Sequence, residues 1–477
     1  MELKKGLTFD DVLLVPKLSQ VKSRKDIETK TKLSRRISLN IPIVSANMDT
    51  VTESSMAIAI AREGGLGVIH RFLSIQDQVA EVLKVKRSEG FIVEHPHTLP
   101  WNNTLGQAKE YMANAGTSSL LITDNLNKLA GMLTSRDILF ETDFKKQISE
   151  LMTPKESLIT ANPGITIEQA KVILHEHRIE KLPIIDTTWE LRGLITTKDI
   201  IKISEFPNSC KDEKGRLRVG AAIGVKDGFL ERAQELIRAG VDVLVVDIAH
   251  GHSDLGLNTI KQIRQKLGDV ELIAGNVATA DGVLDLISAG VDAIKVGVGP
   301  GSTCITRIVA GSGVPQLTAI MDCARAAQGT GIPIIADGGI KNSGDIAKAI
   351  AAGASTVMIG GLLAGTDESP GISITKHGRK YKLLRGMASL GASIGRKERE
   401  NESKNDDVTD FVPEGVEAIV PYRGHAKEVI SQLIGGLKSG ISYCGAKTIL
   451  EMQNKAEFIQ MTGAGLKESH PHDVEQL

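Results

Sequence analysis

Short apolar runs rich in β-branched residues recur along the chain, and each ends in a small or polar residue before a stretch with helical periodicity. Their hydrophobicity is continuous rather than alternating, which predicts parallel strands that are covered on both faces. Eight such units favour a closed (β/α)8 barrel, the TIM-barrel fold, over an open sheet. The eight runs are residues 41–46, 66–70, 219–224, 243–248, 271–275, 293–297, 333–337 and 356–360.

The residues at the ends of these runs are polar or conformationally permissive. Because the loops after parallel barrel strands gather at one mouth, we expect the active site among these residues. They are Asn47, Asp247, Asn276, the segment 299–304, Asp337 and Gly360.

The regular spacing breaks once, between the second and the third run, and the intervening segment contains a repeat. Residues 104–108 (TLGQA) recur as 166–170 (TIEQA), and residues 133–139 (LTSRDIL) recur as 195–201 (ITTKDII), both at an offset of 62 positions. A fixed offset at two places indicates duplicated units that pack together. The sequence therefore predicts two inserted domains, 93–150 and 151–206, within a barrel formed by 1–92 and 207–477.

The duplicated segment resembles a tandem pair of CBS domains, which are small α+β modules. That resemblance implies that Thr134 with Asp137, and Thr196 with Asp199, contact the ribose of a bound nucleotide. The expected effector is then an adenine or guanine nucleotide. Thr and Asp also cap helices well, so helix capping is the alternative interpretation of these four residues.

The charge and the cysteine content limit the classes of protein to which this chain can belong. Lys plus Arg number 57 against 58 for Asp plus Glu, so no net field favours nucleic acid or an anionic membrane. The N-terminal residues MELKKG lack an apolar segment and the apolar runs are too short to span a bilayer, which predicts a cytoplasmic protein. Cys210, Cys304, Cys323 and Cys444 are scattered, which fits neither a disulfide framework nor CxxC metal spacing.

The densest chemical signal is the segment 297–307 (GVGPGSTCITR), directly after the sixth run. Its glycines and proline predict an irregular loop whose backbone groups face a ligand or an ion. Cys304 in such a loop is a candidate nucleophile, and exposed N–H groups or the nearby Arg307 would favour its thiolate. The alternative is an inert, packed thiol.

Two further glycine pairs follow the seventh and eighth runs: Gly338 with Gly339, and Gly360 with Gly361. Barrel enzymes often bind phosphate at these two positions, through backbone N–H groups and the start of a short helix. Asp337, at the end of its run, could accept hydrogen bonds from a ribose diol. The sequence therefore predicts a phosphorylated, ribose-containing ligand, with a capped glycine turn as the alternative.

Several segments together resemble the IMP dehydrogenase / GMP reductase family, and within it the dehydrogenase branch, from residue 6 to nearly the last residue. They are 8–14 (TFDDVLL), 47–53 (NMDTVTE), 299–304 (GPGSTC), 336–340 (ADGGI) and 412–415 (VPEG). The resemblance implies an oxidoreductase of guanine nucleotide biosynthesis. In such an enzyme Cys304 attacks C2 of inosine 5'-monophosphate, hydride passes to NAD, and the thioimidate is hydrolysed to xanthosine 5'-monophosphate.

The same resemblance assigns site residues and an assembly, a homotetramer that could pair into octamers. The implied catalytic residues are Cys304, Thr306, Glu414 and Arg399. The implied substrate contacts are Ser302, Asp337, Gly338, Gly339, Gly360, Gly361, Arg385, Gly386, Met387, Ala388 and Glu414. The implied cofactor contacts are Asp247, Gly297, Val298 and Gly299. A potassium ion would be held by Gly299, Gly301 and Cys304, with Glu468, Ser469 and His470 supplied by a neighbouring subunit.

The reductase branch is the main alternative, because the dehydrogenase normally carries an Arg-Tyr pair on a flap. An ungapped comparison places Glu400 and Asn401 at those two positions, and Arg399 takes the arginine position only after a shift of one residue. Asn47, Gly361 and Leu384 also depart from the dehydrogenase pattern. The CBS-like pair and segments 249–253, 412–415 and 462–470 favour the dehydrogenase. A third alternative is a non-catalytic nucleotide sensor.

Overall fold

The computed structural model describes residues 3–90, 92–93, 96–126, 128–399, 412–472 and 474, without the side chains of 202–204 and 396–399. The chain divides into two compact units. The larger comprises Met1–Ser88, Asn208–Asp212 and Leu217–Leu477, and the smaller comprises Glu89–Pro207 and Glu213–Arg216. The segment between the smaller unit and the third barrel strand is therefore shared between the two.

The larger unit is built on a closed barrel of eight parallel strands. The strands are β1 (Ile43–Ser45), β2 (Leu66–Ile69), β3 (Val219–Ile223), β4 (Val243–Asp247), β5 (Leu272–Val277), β6 (Ala293–Val296), β7 (Ile334–Asp337) and β8 (Thr356–Ile359). Neighbours in sequence pair with one another, and β8 returns to β1, where Met358 pairs with Val44. Each strand falls on one of the eight predicted runs, so the barrel prediction is confirmed.

A helix packs outside the barrel after each strand. These helices are α1 (Ser54–Arg62), α2 (Ile75–Ser88), α3 (Phe229–Arg238), α4 (Asp254–Leu267), α5 (Ala280–Ala289), α6 (Gln316–Ala327), α7 (Ser343–Ala351) and α8 (Ala426–Tyr443). The side chains of Ser253, Thr279 and Asn342 accept hydrogen bonds from the first turns of α4, α5 and α7. These caps satisfy N–H groups that have no partner inside the helix, which explains where the three helices begin.

The strands are apolar on both faces because each face meets a different core. On β4, Val243 and Val245 belong to the cluster inside the barrel, whereas Leu244 and Val246 belong to the cluster between strands and helices. Alternate side chains of a strand point to opposite faces, so both faces must be hydrophobic. This packing accounts for the continuous apolar runs in the sequence.

Shorter elements surround the barrel. Val12–Leu14 pairs with Phe458–Gln460, Thr31–Lys32 pairs with Ser38–Leu39, and Ser373–Lys376, Arg379–Arg385 and Glu417–Pro421 form a three-stranded sheet. The further helices of this unit are Thr306–Val309, Gly361–Ala364, Leu390–Arg399, Ile449–Lys455 and Gly463–Glu468, with 3-10 turns at Phe9–Asp11 and Arg24–Asp26. The three-stranded sheet lies between β8 and α8 in the chain and carries candidate site residues.

In the smaller unit, a helix and the two strands that follow it recur at the same 62-residue offset as the sequence repeat. Its helices are Leu105–Ala115, Ile167–Glu176 and Thr197–Glu205, and its paired strands are Ser119–Thr123 with Leu129–Thr134 and Lys181–Ile185 with Leu191–Thr196. Short strands Thr98–Pro100 and Thr153–Pro154 and 3-10 turns Ile148–Glu150 and Lys155–Ser157 complete it. Thr104 and Thr166 begin equivalent helices with the same capping box.

The Thr and Asp residues proposed to contact a nucleotide bond to each other. Thr134 Oγ1 lies 2.8 Å from Asp137 Oδ2, and Thr196 Oγ1 lies 2.6 Å from Asp199 Oδ2. Thr196 also accepts from the backbone N–H of Asp199, at the start of the helix that begins at Thr197. The capping arrangement is therefore present at Thr196.

In the part of the chain that the structure describes, no helix is long and apolar enough to cross a membrane.

Candidate active site

A cavity opens at the carboxyl ends of the barrel strands, where the sequence predicts the site. It is bordered by the ends of β1, β4, β5, β6 and β7 and by the segments 386–388 and 414–415. The predicted residues that line it are Asn47, Asp247, Asn276, Gly297, Val298, Gly299, Gly301, Cys304, Thr306, Asp337, Gly338, Gly386, Met387, Ala388 and Glu414. Barrel closure thus brings together residues that are far apart in sequence.

The loop after β6 depends on glycine because it runs close to the end of β7. Gly299 and Gly338 have φ angles of +86° and +92°, which disfavour residues with a Cβ. A Cβ on Gly338 would lie 2.9 Å from Pro300 Cγ, and one on Gly297 would lie 2.0 Å from the carbonyl oxygen of Asp337. Close contact between these two loops places Cys304 and Asp337 on the same cavity.

Cys304, Thr306 and Glu414 form a hydrogen-bonded chain. Cys304 Sγ lies 3.2 Å from Thr306 Oγ1, and the Thr306 hydroxyl donates to Glu414 Oε2 at 2.7 Å. Since the hydroxyl proton points to the carboxylate, the Thr306 oxygen can accept the thiol proton of Cys304. The chain therefore offers a path for a proton from the thiol to the carboxylate.

Backbone pairing holds the two ends of this chain together. Cys304 and Gly415 form an isolated antiparallel bridge, in which Ile305 N–H donates to Glu414 O at 2.8 Å and Val416 N–H donates to Thr303 O at 2.9 Å. Glu414 and Thr306 are 108 positions apart in the sequence. The carboxylate is thus fixed against the cysteine loop by main-chain hydrogen bonds rather than by its side chain alone.

Cys304 differs from the other three cysteines in its exposure. Cys210, Cys323 and Cys444 are buried, whereas Cys304 is partly exposed to the cavity. Burial raises the pKa of Cys210 to about 12 and, with the charge of Asp322, that of Cys323 to about 12. Those thiols are held in the unreactive protonated form. Arg307 donates to the carbonyls of Val298 and Val314, so it supports the loop backbone.

The predicted phosphate-contacting residues lie around the cysteine loop. A Cβ on Gly361 would lie 3.3 Å from Ser302 Oγ, which places Ser302 beside the start of the short helix Gly361–Ala364. Similarly, a Cβ on Gly339 would lie 3.5 Å from Pro300 Cβ. Gly360 approaches Met48, whose sulfur would lie 3.1 Å from an added Cβ. Gly339 and Gly361 therefore lie beside the cysteine loop, and Gly360 lies beside Met48, a residue of the cavity.

Arg385 is engaged by the protein itself. Its guanidinium forms a buried ion pair with Asp49, and its backbone N–H donates to Thr50 Oγ1 at 3.1 Å. Asp49 is 8% exposed, and its Oδ1 has no hydrogen-bond partner among the described residues. The pair anchors the segment that follows β1 to the strand Arg379–Arg385, which leads into Gly386 and Met387.

Two charged residues of the cavity are absent from the sequence prediction. Lys295, inside β6, lies 3.0 Å from Asp247 Oδ1 and 2.8 Å from Asp337 Oδ2. Arg71, after β2, lies 4.0 Å from Asp247 Oδ2. A lysine within an otherwise apolar strand, Ala-Ile-Lys-Val, is the signal that could have identified Lys295. A buried cation requires partners of opposite charge, and those that Lys295 has among the described residues, Asp247 and Asp337, lie at the ends of other strands.

The predicted ion-binding residues fall in two places. Gly299, Gly301 and Cys304 belong to the cysteine loop, where the Gly301 carbonyl accepts a hydrogen bond from Cys304 N–H at 3.1 Å. Glu468, Ser469 and His470 lie at the exposed end of the helix Gly463–Glu468, and no described residue of that segment lines the cavity. Carbonyl oxygens in an irregular loop are chemically suited to a hard monovalent cation.

Arg399 is the last residue of the helix Leu390–Arg399, and its side chain lies outside the described part of the chain. Glu400 and Asn401 also lie outside the described residues.

Comparisons with known proteins give one family and two named activities. A family model described as "IMP dehydrogenase / GMP reductase domain" matches residues 6–472. Inosine-5'-monophosphate dehydrogenase of Nitrosopumilus maritimus is 57% identical over 476 residues, which cover 99% of each chain. GMP reductase of Leishmania donovani is 50% identical over 484 residues, which cover 100% of this chain and 98% of that protein.

A solved structure of a GMP reductase variant from Trypanosoma brucei, in complex with guanosine 5'-monophosphate, superposes with a TM-score of 0.90 and 46% identity. It covers 99% of this chain and 99% of that chain. Since alignments with proteins named as reductases span the whole chain, the inserted unit and the C-terminal segment do not distinguish the two activities. The expectation that the CBS-like pair and segment 462–470 favour the dehydrogenase is therefore not supported.

Proposed function

Because the chain belongs to the IMP dehydrogenase / GMP reductase family, we propose that it oxidises inosine 5'-monophosphate to xanthosine 5'-monophosphate with NAD. The observation that carries the proposal is the hydrogen-bonded chain Cys304–Thr306–Glu414 beside the cavity. A nucleophile, a hydroxyl and a carboxylate in this order provide both covalent catalysis and proton transfer.

In the first half-reaction, Cys304 Sγ adds to C2 of the purine while its proton passes through Thr306 to Glu414. Bound NAD would supply the acceptor for the hydride that leaves C2. The product of this step is a thioimidate between Cys304 and the oxidised nucleotide. Glu414 releases this proton to solvent before the second half-reaction. Acting again through Thr306, it then takes a proton from water, which attacks C2 and releases the Cys304 thiolate.

The residues around the cavity have chemistry suited to binding the substrate. Asp337 Oδ2 accepts hydrogen bonds from Lys295 and Asn276, and no described residue donates to Oδ1, which can therefore accept from a ribose hydroxyl. Backbone N–H groups near Gly339, Gly360 and Gly361, with the Ser302 hydroxyl, would bind the phosphate. Gly338 and the segment 385–388 complete this proposed site, with Arg385 acting through Asp49.

On the cofactor side, Asp247 would accept from the nicotinamide ribose, next to Gly297, Val298 and Gly299. A potassium ion would be held by the carbonyls of Gly299, Gly301 and Cys304 and by Glu468, Ser469 and His470 of an adjacent subunit. It would keep the cysteine loop ordered. This arrangement requires a homo-oligomer, which we propose to be a tetramer, because the C-terminal segment would complete a neighbour's site.

We propose GMP reductase activity as the second candidate function. It is favoured by the absence of an Arg-Tyr pair from residues 393–411 and by the similarity to the Trypanosoma brucei reductase structure. In this reaction Cys304 would add to C2 of guanosine 5'-monophosphate and ammonia would leave from C2, giving the same Cys304 thioimidate. Bound NADPH would supply a hydride to C2, and the Cys304–C2 bond would then break to release inosine 5'-monophosphate and the thiolate. Glu414, acting through Thr306, would supply the proton that the departing amine needs.

One assay separates the two functions. Purified protein is offered inosine monophosphate with NAD and, separately, guanosine monophosphate with NADPH, and absorbance of the reduced nicotinamide is followed. We expect absorbance to rise in the first mixture and to stay constant in the second. A fall in the second mixture with no rise in the first would replace the dehydrogenase by the reductase. Activity in neither mixture, with the nucleotide still bound, would support the non-catalytic sensor.

We also propose that the smaller unit is a CBS pair, with domains 93–150 and 151–206, that binds an adenine or guanine nucleotide. The support is the structural repeat, in which equivalent helices begin at the same capping box. Binding would require the hydroxyls of Thr134 and Thr196, or the carboxylates of Asp137 and Asp199, to turn from each other to the ribose. Calorimetric titration of ATP and GTP into wild type and Asp199→Ala tests this proposal.

A further inference from the structure

Lys295 is a buried charge inside an apolar strand, with a side chain that is 3% exposed. Its ammonium group reaches the carboxyl ends of two other strands. Asp337, at the end of the adjacent β7, lies 2.8 Å away, and Asp247, at the end of β4, lies 3.0 Å away. One cation therefore bridges two carboxylates that border the cavity.

Each of the other polar groups nearby contacts one of the two carboxylates but not both. Arg71 Nε lies 4.0 Å from Asp247 Oδ2, and the side chain of Asn47 also hydrogen-bonds Asp247. Asn276 Nδ2 donates to Asp337 Oδ2 at 2.9 Å and to Gly297 O at 2.7 Å. Among the described residues, Lys295 is thus the cation that the two carboxylates share.

Two carboxylates that border one cavity disfavour each other's charged form, and a cation that bonds both of them offsets this repulsion. Burial disfavours the charged form of Asp247, but the charges of Lys295 and Arg71 outweigh burial and lower the pKa of this carboxyl. Burial also disfavours the charged ammonium of Lys295, but Asp337 and Asp247 outweigh it and raise the pKa of the lysine. Asp247 and Lys295 therefore both remain charged near neutral pH.

We propose that Lys295 is a positioning residue that sets the affinity of the nucleotide ribose site and the nicotinamide ribose site together, by orienting Asp337 and Asp247. The inference rests on the proposed function, which assigns one ribose to each carboxylate. Lys295 holds Asp337 Oδ2 and Asp247 Oδ1, which leaves Asp337 Oδ1 for a ribose hydroxyl. Asp247 Oδ2, which lies 4.0 Å from Arg71 Nε, would be shared between that arginine and the other ribose. A hydroxyl donates a stronger hydrogen bond to an ionised carboxylate than to a neutral acid.

The chain offers a matched control in Lys86, at the end of α2. Its side chain is also 3% exposed, and it also bridges two carboxylates, Asp212 at 3.0 Å and Asp242 at 2.7 Å. Asp242 directly precedes β4, whereas Asp247 ends that strand, so Lys86 serves the opposite end of the barrel. Lys86→Met removes the same charge from the same kind of site without touching the cavity.

The test measures binding in a Cys304→Ala background, which prevents turnover. Inosine monophosphate and guanosine monophosphate are titrated calorimetrically, and NAD or NADPH is then titrated into the nucleotide-saturated protein. We expect Lys295→Met to weaken both nucleotide and cofactor by about 10- to 100-fold, the range of one charged hydrogen bond. Lys86→Met should change either affinity by less than about threefold, and Lys295→Arg should recover most of the loss.

The pH dependence separates loss of charge from loss of shape. In Lys295→Met the two carboxylates lose the cation that they share, so protonation of either one becomes easier and nucleotide affinity should fall as the pH is lowered. The nucleotide affinity of the Cys304→Ala background protein should not change over the same pH range. A second variant, Lys295→Met with Asp247→Asn, leaves Asp337 as the single carboxylate, so it should regain nucleotide affinity while the cofactor remains weakly bound.

Three results would overturn the inference. The first is unchanged affinity in Lys295→Met for either ligand, and the second is an equal loss in Lys86→Met. The third is failure of the double variant to regain nucleotide affinity, which would refute the charge argument even if Lys295→Met alone does not fold. A background protein that binds neither nucleotide would instead overturn the proposed function, and with it the premise of this inference.

Discussion

The two ends of the barrel each contain a buried lysine between two carboxylates, but the arrangements differ in how completely they are satisfied. At the amino end, Lys86 bonds Asp212, Asp242 and the carbonyl of Leu217. Asp242 Oδ2 also accepts from the backbone N–H of Val219 at 2.8 Å. At the carboxyl end, the partners of Lys295 among the described residues are Asp247 and Asp337, each of which borders the cavity.

The difference shows how one motif can serve stability or binding. A buried ion pair can make all of its hydrogen bonds inside the protein. Such a pair joins strands and linkers, but it has no hydrogen-bonding capacity left for a ligand. A pair whose partly exposed carboxylates border a cavity, as those of Asp247 and Asp337 do, can in addition accept hydrogen bonds from a ligand. We therefore expect substitutions at the mouth to change turnover, and substitutions at the amino end to change stability.

The largest expected effect is at the mouth, with Cys304→Ala. Removing the nucleophile should lower kcat by about 10⁴-fold or more, whether the enzyme is a dehydrogenase or a reductase. The midpoint of thermal unfolding should stay nearly unchanged. Steady-state assays and thermal melts of the same samples measure both quantities. Cys323→Ala is the control, because its thiol is buried and should be dispensable for turnover. A Cys304→Ala protein that retains more than about a hundredth of wild-type rate would refute covalent catalysis.

Glu414→Gln should have the next largest effect, because it removes the terminal proton acceptor while keeping the shape of the side chain. We expect kcat to fall by about 10²- to 10⁴-fold, the range for losing a general base. If hydrolysis is the slow step, the adduct on Cys304 should accumulate and be detected by intact-protein mass spectrometry after mixing with inosine monophosphate and NAD.

Arg399→Ala is the comparison variant for the same step. A smaller loss than in Glu414→Gln assigns water activation to the Thr306–Glu414 chain. An equal loss, with the same adduct accumulating, would assign a comparable share of it to Arg399.

At the amino end, Lys86→Met should lower the free energy of unfolding by about 3–5 kcal/mol, because it removes a buried cation that bonds two carboxylates, although Arg218 still lies 3.6 Å from Asp242. Below its melting temperature the variant should keep wild-type kcat, since Lys86 does not border the cavity. Denaturant unfolding and steady-state kinetics on one preparation test both statements. A loss of kcat without a loss of stability would remove the distinction between the two ends.

The smallest effect on turnover is expected for deletion of the inserted unit, residues 93–206, with the ends joined. The barrel unit has its own hydrophobic core, and a compact inserted unit can be removed without cutting that core. We expect kcat to stay within about threefold of wild type while the response to purine nucleotides is lost. A folded but inactive deletion protein would show that the inserted unit contributes directly to catalysis.

The sequence by itself determined the barrel and the inserted repeat, because both leave local patterns. Each strand that is buried on two faces must be apolar at consecutive positions, and eight such runs were recognisable before any contact was known. The repeat was recognisable because equivalent helices begin with the same residues, Thr104 and Thr166 with their capping glutamines. Cys304 stood out because glycines force its loop into an irregular path.

Only the tertiary structure decided which side chains meet. Glu414 reaches Thr306 across 108 positions, Arg385 reaches Asp49 across 336, and Lys295 reaches two carboxylates from other strands. No local pattern records such contacts, because they depend on strand register and on closure of the barrel. Lys295 interrupts an apolar run, and only the folded barrel supplies the two carboxylates that make its burial favourable.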